Sequence, residues 1–215
     1  PPTPTELSMT LTKKTLLAEM EATFNEPSDS GFTTVFNEFC SALQELAKDP
    51  GSPSVRAMVT QKAITLAKYF NSTAASFEKL QADINYRIRT KVEEVNSLAY
   101  QICQLNKQIY TAELDGNKAN DLRDQRTLLV DKLAKIINVE ANEVVVGRLA
   151  NGVENRRFVL TVGGRTLVDH FDYDKLVLVQ REDRLNKEDV NGLYDILWER
   201  GGKVSIESGE LRGLL

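Results

Sequence analysis

The sequence predicts an α+β protein: an elongated helical bundle around one very long helix, followed by a small antiparallel β domain. Three observations carry this. First, from Ser52 to about Glu113 no proline follows Pro53 and no glycine precedes Gly116, so nothing there breaks a helix. Second, Ala63, Phe70, Phe77, Ile84, Leu98 and Leu105 fall on one seven-residue spacing. Ala67, Ala74, Ile88, Val95, Ile102 and Ile109 fall on another, offset by four. These are the d and a positions of one heptad register, interrupted only at Gln81 and Lys91. Sixty helical residues would run on the order of 90 Å. Third, the apolar period changes from 3.6 to 2 near Val139. The expected organisation is therefore a helical bundle over 1–138, an antiparallel β domain over 139–208 and the start of a truncated return segment over 209–215.

Taken in order, Thr3-Pro4-Thr5-Glu6 fits a capping box, with Pro4 at the first helical position. The helix should reach about Phe24, although only Leu16, Leu17, Met20 and Phe24 mark its apolar face. Asn25–Gly31 reads as a turn in which Asp29 or Ser30 can cap a second helix. That helix carries the stripe Phe32, Val35, Phe36, Phe39, Leu43 and Leu46 and stops at Asp49-Pro50-Gly51. Ser52 caps the long helix, with Pro53 at its first position. Leu114–Asn117 reverses the chain into a fourth helix, from about Asn120 to Ile137, expected to set Leu129 and Leu133 against Ile102 and Leu105.

Six short stretches then read as strands: Glu143–Arg148, Arg156–Val162, Arg165–Asp169, Lys175–Gln180, Leu193–Glu199 and Lys203–Ile206. Gly163-Gly164 fits a two-residue hairpin turn, Arg200-Gly201-Gly202 a longer one, and Asn151-Gly152 a further turn. Short strands joined by tight turns make an antiparallel sheet, not a βαβ array.

Of the 215 residues, 41% are hydrophobic and 27% charged, the formal net charge is −4, and the only cysteines are Cys40 and Cys103. This composition suits a packed core and disfavours nucleic acid or an anionic membrane as partner. No apolar run approaches a membrane span, and no cleaved signal peptide is visible. Both cysteines lie in helices and read as buried free thiols.

The residues offer no reactive constellation. His170 is the only histidine, so histidine zinc sites and Ser–His triads would all depend on it, and nothing near it resembles a nucleophile or a ligand series. It reads as a turn or surface histidine. Asp115–Asp121 is acidic, but its glycine comes second instead of sixth and Arg126 stands where a calcium loop needs glutamate. Gly163-Gly164 lacks the lysine and following helix of a phosphate cradle. Arg87, Arg89 and Lys91 are answered by Asp83, Glu93 and Glu94, which makes a solvated helix face. No catalytic, cofactor or metal residue is expected, and no cofactor or small-molecule substrate. A long strut joined to a small sheet reads as a structural or assembly protein, with the heptad seam as core or as a partner-binding face.

Several segments carry a resemblance. Phe24–Phe32, Phe36–Phe39, Ala42–Ala47, Val95–Ile102, Leu105–Ile109, Ala119–Arg126, Val162–Val168 and Ser208–Leu215 occur in the order seen in the flagellar hook-associated protein 1 family. The chain is similar to that family from about Leu17 onward. Pro1–Thr5 has no counterpart, and His170-Phe171 stands where the family has a glycine-containing turn. The resemblance implies a non-enzymatic structural protein at the hook–filament junction, acting by self-assembly and by contacts to the flagellar hook protein and a second junction protein. It implies an extracellular place on the flagellum, reached through the flagellar secretion channel. It also implies that terminal segments driving polymerisation are missing before Pro1 and after Leu215. The rival reading is a helical-hairpin periplasmic adaptor of an efflux or secretion complex, but the paired lipoyl-like half-motifs such a protein needs are absent from the sequence.

One candidate functional face remains. Fold-back helices cover the two ends of the long helix and leave its middle thinly covered. Phe77, Leu80, Ile84, Ile88 and Val92 are therefore the expected docking seam for a helix following Leu215 in a longer protein.

Overall fold

The computed structural model describes residues 3–24, 31–149 and 151–215. Its helices are α1 (Pro4–Phe24), α2 (Phe32–Lys48), α3 (Pro53–Ala112), α4 (Asn120–Ile136) and α5 (Glu210–Leu214). Its strands are β1 (Glu140–Arg148), β2 (Glu154–Val162), β3 (Arg165–Asp169), β4 (Asp172–Tyr173), β5 (Leu176–Gln180) and β6 (Tyr194–Trp198).

Local chemistry sets the helix starts. The Glu6 carboxylate accepts from the Thr3 backbone N–H at 2.8 Å while the Glu6 N–H donates to the Thr3 hydroxyl at 3.2 Å, a completed capping box. The Ser52 hydroxyl accepts from the Val55 N–H at 3.4 Å. The expected turn at Asn25–Gly31, with its capping choices Asp29 and Ser30, lies outside the described residues except for Gly31, which stands at the N-cap of α2 without a side-chain bond.

All strand pairs are antiparallel, in two sheets rather than one: β1-β2-β3-β4, and β5-β6. Both glycines of the β2–β3 turn have positive φ, 55° and 78°, as a tight hairpin of that twist demands. The expected strand Lys203–Ile206 is not one; Lys203 makes a single bridge to Leu197. Val204 and Ile206 instead pack on the core as side chains, so their alternation marks burial without a backbone ladder. Conversely, β4 is too short to leave a period in the sequence.

The chain forms two compact units. One comprises the residues up to Lys13 together with Ile84–Leu215, and the other comprises Lys14–Asp83. This division does not follow the change from helix to strand near residue 139. The reason is the core of the first unit, where Val95, Leu98, Ala99, Ile102 and Cys103 of α3 join Leu133 and Ile136 of α4, Leu160 and Val162 of β2, Leu167 of β3 and Trp198 of β6. Helices and sheets there bury each other. Ile102 and Leu133 are fully buried and Leu129 packs against the same core, as expected, while Leu105 is only half-buried. Arg165 fastens the two sheets: it donates to the Gly201 carbonyl and to Asp174, and its guanidinium lies over the Trp198 ring. The end of the chain is anchored by Gly209, with φ 89° and its Cα so close to the Ile136 carbonyl that a Cβ would sit 2.5 Å from that oxygen.

Candidate functional site

The long helix meets the sheets through amides. The Asn96 side chain donates to the Leu176 carbonyl at 2.8 Å and accepts from the Leu176 N–H at 2.9 Å. Eleven residues earlier, Asn85 donates to the Gly192 carbonyl at 3.0 Å and accepts from the Tyr194 N–H at 2.9 Å. Each amide imitates a strand and satisfies backbone groups beside the β5–β6 hairpin. Asn106 donates to the His170 carbonyl at 2.7 Å and accepts from Arg126 at 2.9 Å. Each directly follows a seam residue (Ile84, Val95, Leu105), but a flank position alone does not say what its amide will meet.

These clasps explain what becomes of the expected docking seam. Ile88 and Val92 are buried in the core of the first unit, and Ile84 is half-buried against it. The chain's own β5–β6 hairpin, clasped at Asn85 and Asn96, covers this turn of α3; the sequence reading allowed only helices as cover. Phe77 and Leu80, in the second unit, are half-buried, with the Phe24 ring edge-on to Phe77 at 5.3 Å. Of the five, Ile88 and Val92 are thus buried by the chain itself, while Phe77, Leu80 and Ile84 are half-buried.

A charged network surrounds Asn106. Arg126, 7% exposed, donates to Glu143 at 2.9 Å and lies 3.9 Å over the Phe158 ring. Arg123 bonds Glu113 at 2.6 Å and Glu143 at 2.9 Å. Burial alone would push the Glu143 carboxyl up, but the bonds from Arg123 and Arg126 outweigh it and hold Glu143 below the usual carboxylate range. The Arg123 bond, opposed by burial, likewise holds Glu113 low. Burial pulls Arg126 down from the ordinary guanidinium value. The cavity between these groups measures about 30 Å³, room for about one water. His170 sits at its wall in a turn, with φ 52°. That is the left-handed conformation a glycine adopts freely and a histidine only uncommonly. Burial and then the Arg157 charge lower its pKa. The arginines and carboxylates answer each other, and nothing in the network is placed as nucleophile and base. It fastens β1 and the β3–β4 turn to α3 and α4.

Among the described residues, no group of three or more His, Cys, Asp or Glu could hold a metal ion, and no helix is long and apolar enough to cross a membrane. Cys40 and Cys103 are free. Burial, then the Asp172 charge, pushes the Cys103 thiol up to about 11, and its Sγ lies 3.2 Å from the Asp172 carbonyl.

The second unit is different in kind. Its apolar residues on the heptad register are not all on the packed side of α3: Leu66, Tyr69 and Thr73 are half-buried while Ala67, Phe70 and Ala74 are exposed. The covered line here runs one residue before the expected seam.

Comparison with known proteins places this architecture. The model of the helical domain of flagellar hook-associated protein FlgK matches residues 17–215. Flagellar hook-associated protein 1 of Bacillus subtilis (strain 168) is 38% identical over 131 residues, covering 61% of this chain and 26% of that protein. The protein of the same name from Escherichia coli (strain K12) is 32% identical over 117 residues, covering 54% and 21%. The chain thus spans about a quarter of the length of these relatives. The structure of the flagellar hook junction protein FlgK from Burkholderia pseudomallei superposes with a TM-score of 0.74 over 96% of this chain and 36% of that one, at 24% identity. That likeness is one of fold. Nothing among these relatives supports the helical-hairpin adaptor reading.

Proposed function

We propose, for a chain that belongs to the flagellar hook-associated protein FlgK family, a non-enzymatic structural role at the junction of hook and filament. In this reading the intact protein self-assembles and contacts the flagellar hook protein on one side and a second junction protein on the other. It reaches its place outside the cell through the flagellar secretion channel.

The observation that carries the reading is the family match over residues 17–215. The chemistry described above agrees with it. Asn85, Asn96 and Asn106 are spent on holding strands and turns to helices, and the arginines and carboxylates around Asn106 answer each other. Such residues provide stiffness rather than turnover.

The test is complementation in a flagellated bacterium that lacks its hook-associated protein 1. Full-length protein should restore filaments and motility, and replacing Ile102 or Asn106 by alanine within it should reduce both. Normal filaments from a protein deleted for the whole segment would refute the role.

A further inference from the structure

An asparagine followed by glycine is a chemically labile point of a chain, because no Cβ shields the next backbone nitrogen from the asparagine side chain. This sequence has two such pairs, Asn151-Gly152 and Asn191-Gly192. The structure treats them differently.

Asn151 is tied on every side. Its amide donates to the Leu114 carbonyl at 2.7 Å and accepts from the Val153 N–H at 3.2 Å, while the Gly152 N–H donates to the Leu149 carbonyl at 2.9 Å. These bonds hold both the carboxamide and the nitrogen that would attack it. Asn191 is exposed to water, and no described residue accepts from the Gly192 N–H. The partner of its carboxamide is a cation. The Arg184 Nε–H donates to the Asn191 Oδ1 at 2.8 Å, and a 3.0 Å bond from Arg184 Nη1 to the Lys187 carbonyl steadies the guanidinium.

We propose that Asn191 is a site of spontaneous, non-enzymatic deamidation promoted by Arg184. The Gly192 nitrogen gives its proton to solvent base and bonds to the Asn191 side-chain carbon. The bond from that carbon to the side-chain nitrogen then breaks, and ammonia leaves with a proton from solvent. What remains is a cyclic succinimide. Water cleaves one of its two C–N bonds, giving aspartate when the new bond opens and isoaspartate when the original peptide bond does. Negative charge builds on Oδ1 as the nitrogen attacks, at the atom to which Arg184 already donates. A donor in place before the charge develops lowers the barrier. The carboxylate of the aspartate product keeps the same donor, now as a charge pair.

The reaction goes beyond the junction role and does not depend on it. The 215-residue chain, kept folded in mildly alkaline buffer and sampled over weeks, is digested with trypsin. Asn191 falls in peptide 188–200 and Asn151 in peptide 149–156, so mass spectrometry reads the two conversions separately. Asn191 should convert roughly tenfold faster than Asn151 or more, since only Asn151 must first give up three hydrogen bonds. In guanidinium chloride the two rates should converge. Arg184→Ala, at an exposed position, should slow Asn191 severalfold, keep the wild-type circular dichroism and leave the Asn151 rate unchanged. Equal rates at the two asparagines of the folded chain overturn the proposal, as does an Asn191 that stays intact. So does an Arg184→Ala variant that deamidates at Asn191 as fast as wild type or faster.

Discussion

Replacing Asn106 with alanine removes the side chain that joins α3, α4 and the β3–β4 turn at one point. The amide is 1% exposed, gives a 2.7 Å bond to the His170 carbonyl and receives a 2.9 Å bond from Arg126. A neutral bond of this kind contributes about 1 kcal/mol and one from a charged donor about 2. Loss of the two bonds together should therefore cost about 3 kcal/mol. Trp198, the only tryptophan, is 2% exposed and lies in the same compact unit, so its fluorescence reports this unit's unfolding. With a urea slope of about 2 kcal/mol per molar, the midpoint should fall by roughly 1.5 M. Asn106→Asp separates the two bonds: it keeps an acceptor for Arg126 but offers no donor to His170, and should lie between wild type and alanine. A loss below about 0.5 kcal/mol for the alanine variant would refute the claim that this amide holds the network together.

Other outcomes follow from the same interior. Ile102→Ala should cost about 2–5 kcal/mol by the same urea assay, since the side chain is fully buried among α3, α4 and the sheets. In native protein a thiol reagent near pH 8 should modify Cys40 readily and Cys103 hardly at all, given its burial and a pKa of about 11. Both should react in denaturant; equal native rates would contradict the packing. Glu143 and Glu113 are held below their ordinary value, so their stabilisation is complete above the unfolded carboxylate pKa of about 4.5 and fades as pH falls from there through the folded values. Urea midpoints between pH 7 and pH 3 should therefore fall less steeply for Glu143→Gln than for wild type. Gly209→Ala must displace the Ile136 carbonyl or the start of α5, and should cost about 1–3 kcal/mol.

Much of this architecture was legible because its signals are local. The box at Thr3 and Glu6, the cap at Ser52 and the paired glycines at 163 and 164 each fix a geometry within a few residues. The buried half of the heptad, Val95 to Ile109, also declared itself. What stayed hidden depends on contacts distant in sequence. The cover over Ile88 and Val92 comes from the β5–β6 hairpin, about a hundred residues later, and no periodicity on α3 says whether a helix or a sheet will supply it. Similarly, a one-residue rotation of the covered line near Phe70 is decided by where α2 lies, not by α3. Asn106 looked like a polar flank because an asparagine reveals its partner only once the fold has brought His170 and Arg126 to it.

The asparagine clasps also act as a gauge. A peptide group offers one donor and one acceptor at fixed separation, and so does a carboxamide. Asn85 and Asn96 therefore accept the β5–β6 hairpin in only one alignment along the helix. A slip by a single residue would turn donor against donor and lose both pairs at once, whereas a greasy contact would tolerate the slide. The loop from Glu182 to Asn191 is then free to vary in length, because the helix measures the hairpin at Leu176 and at Gly192 and Tyr194, and not along the rest of the loop. Insertions there should be absorbed without moving either strand, whereas one residue added between Asn85 and Asn96 would rotate the two marks out of agreement by about 100°.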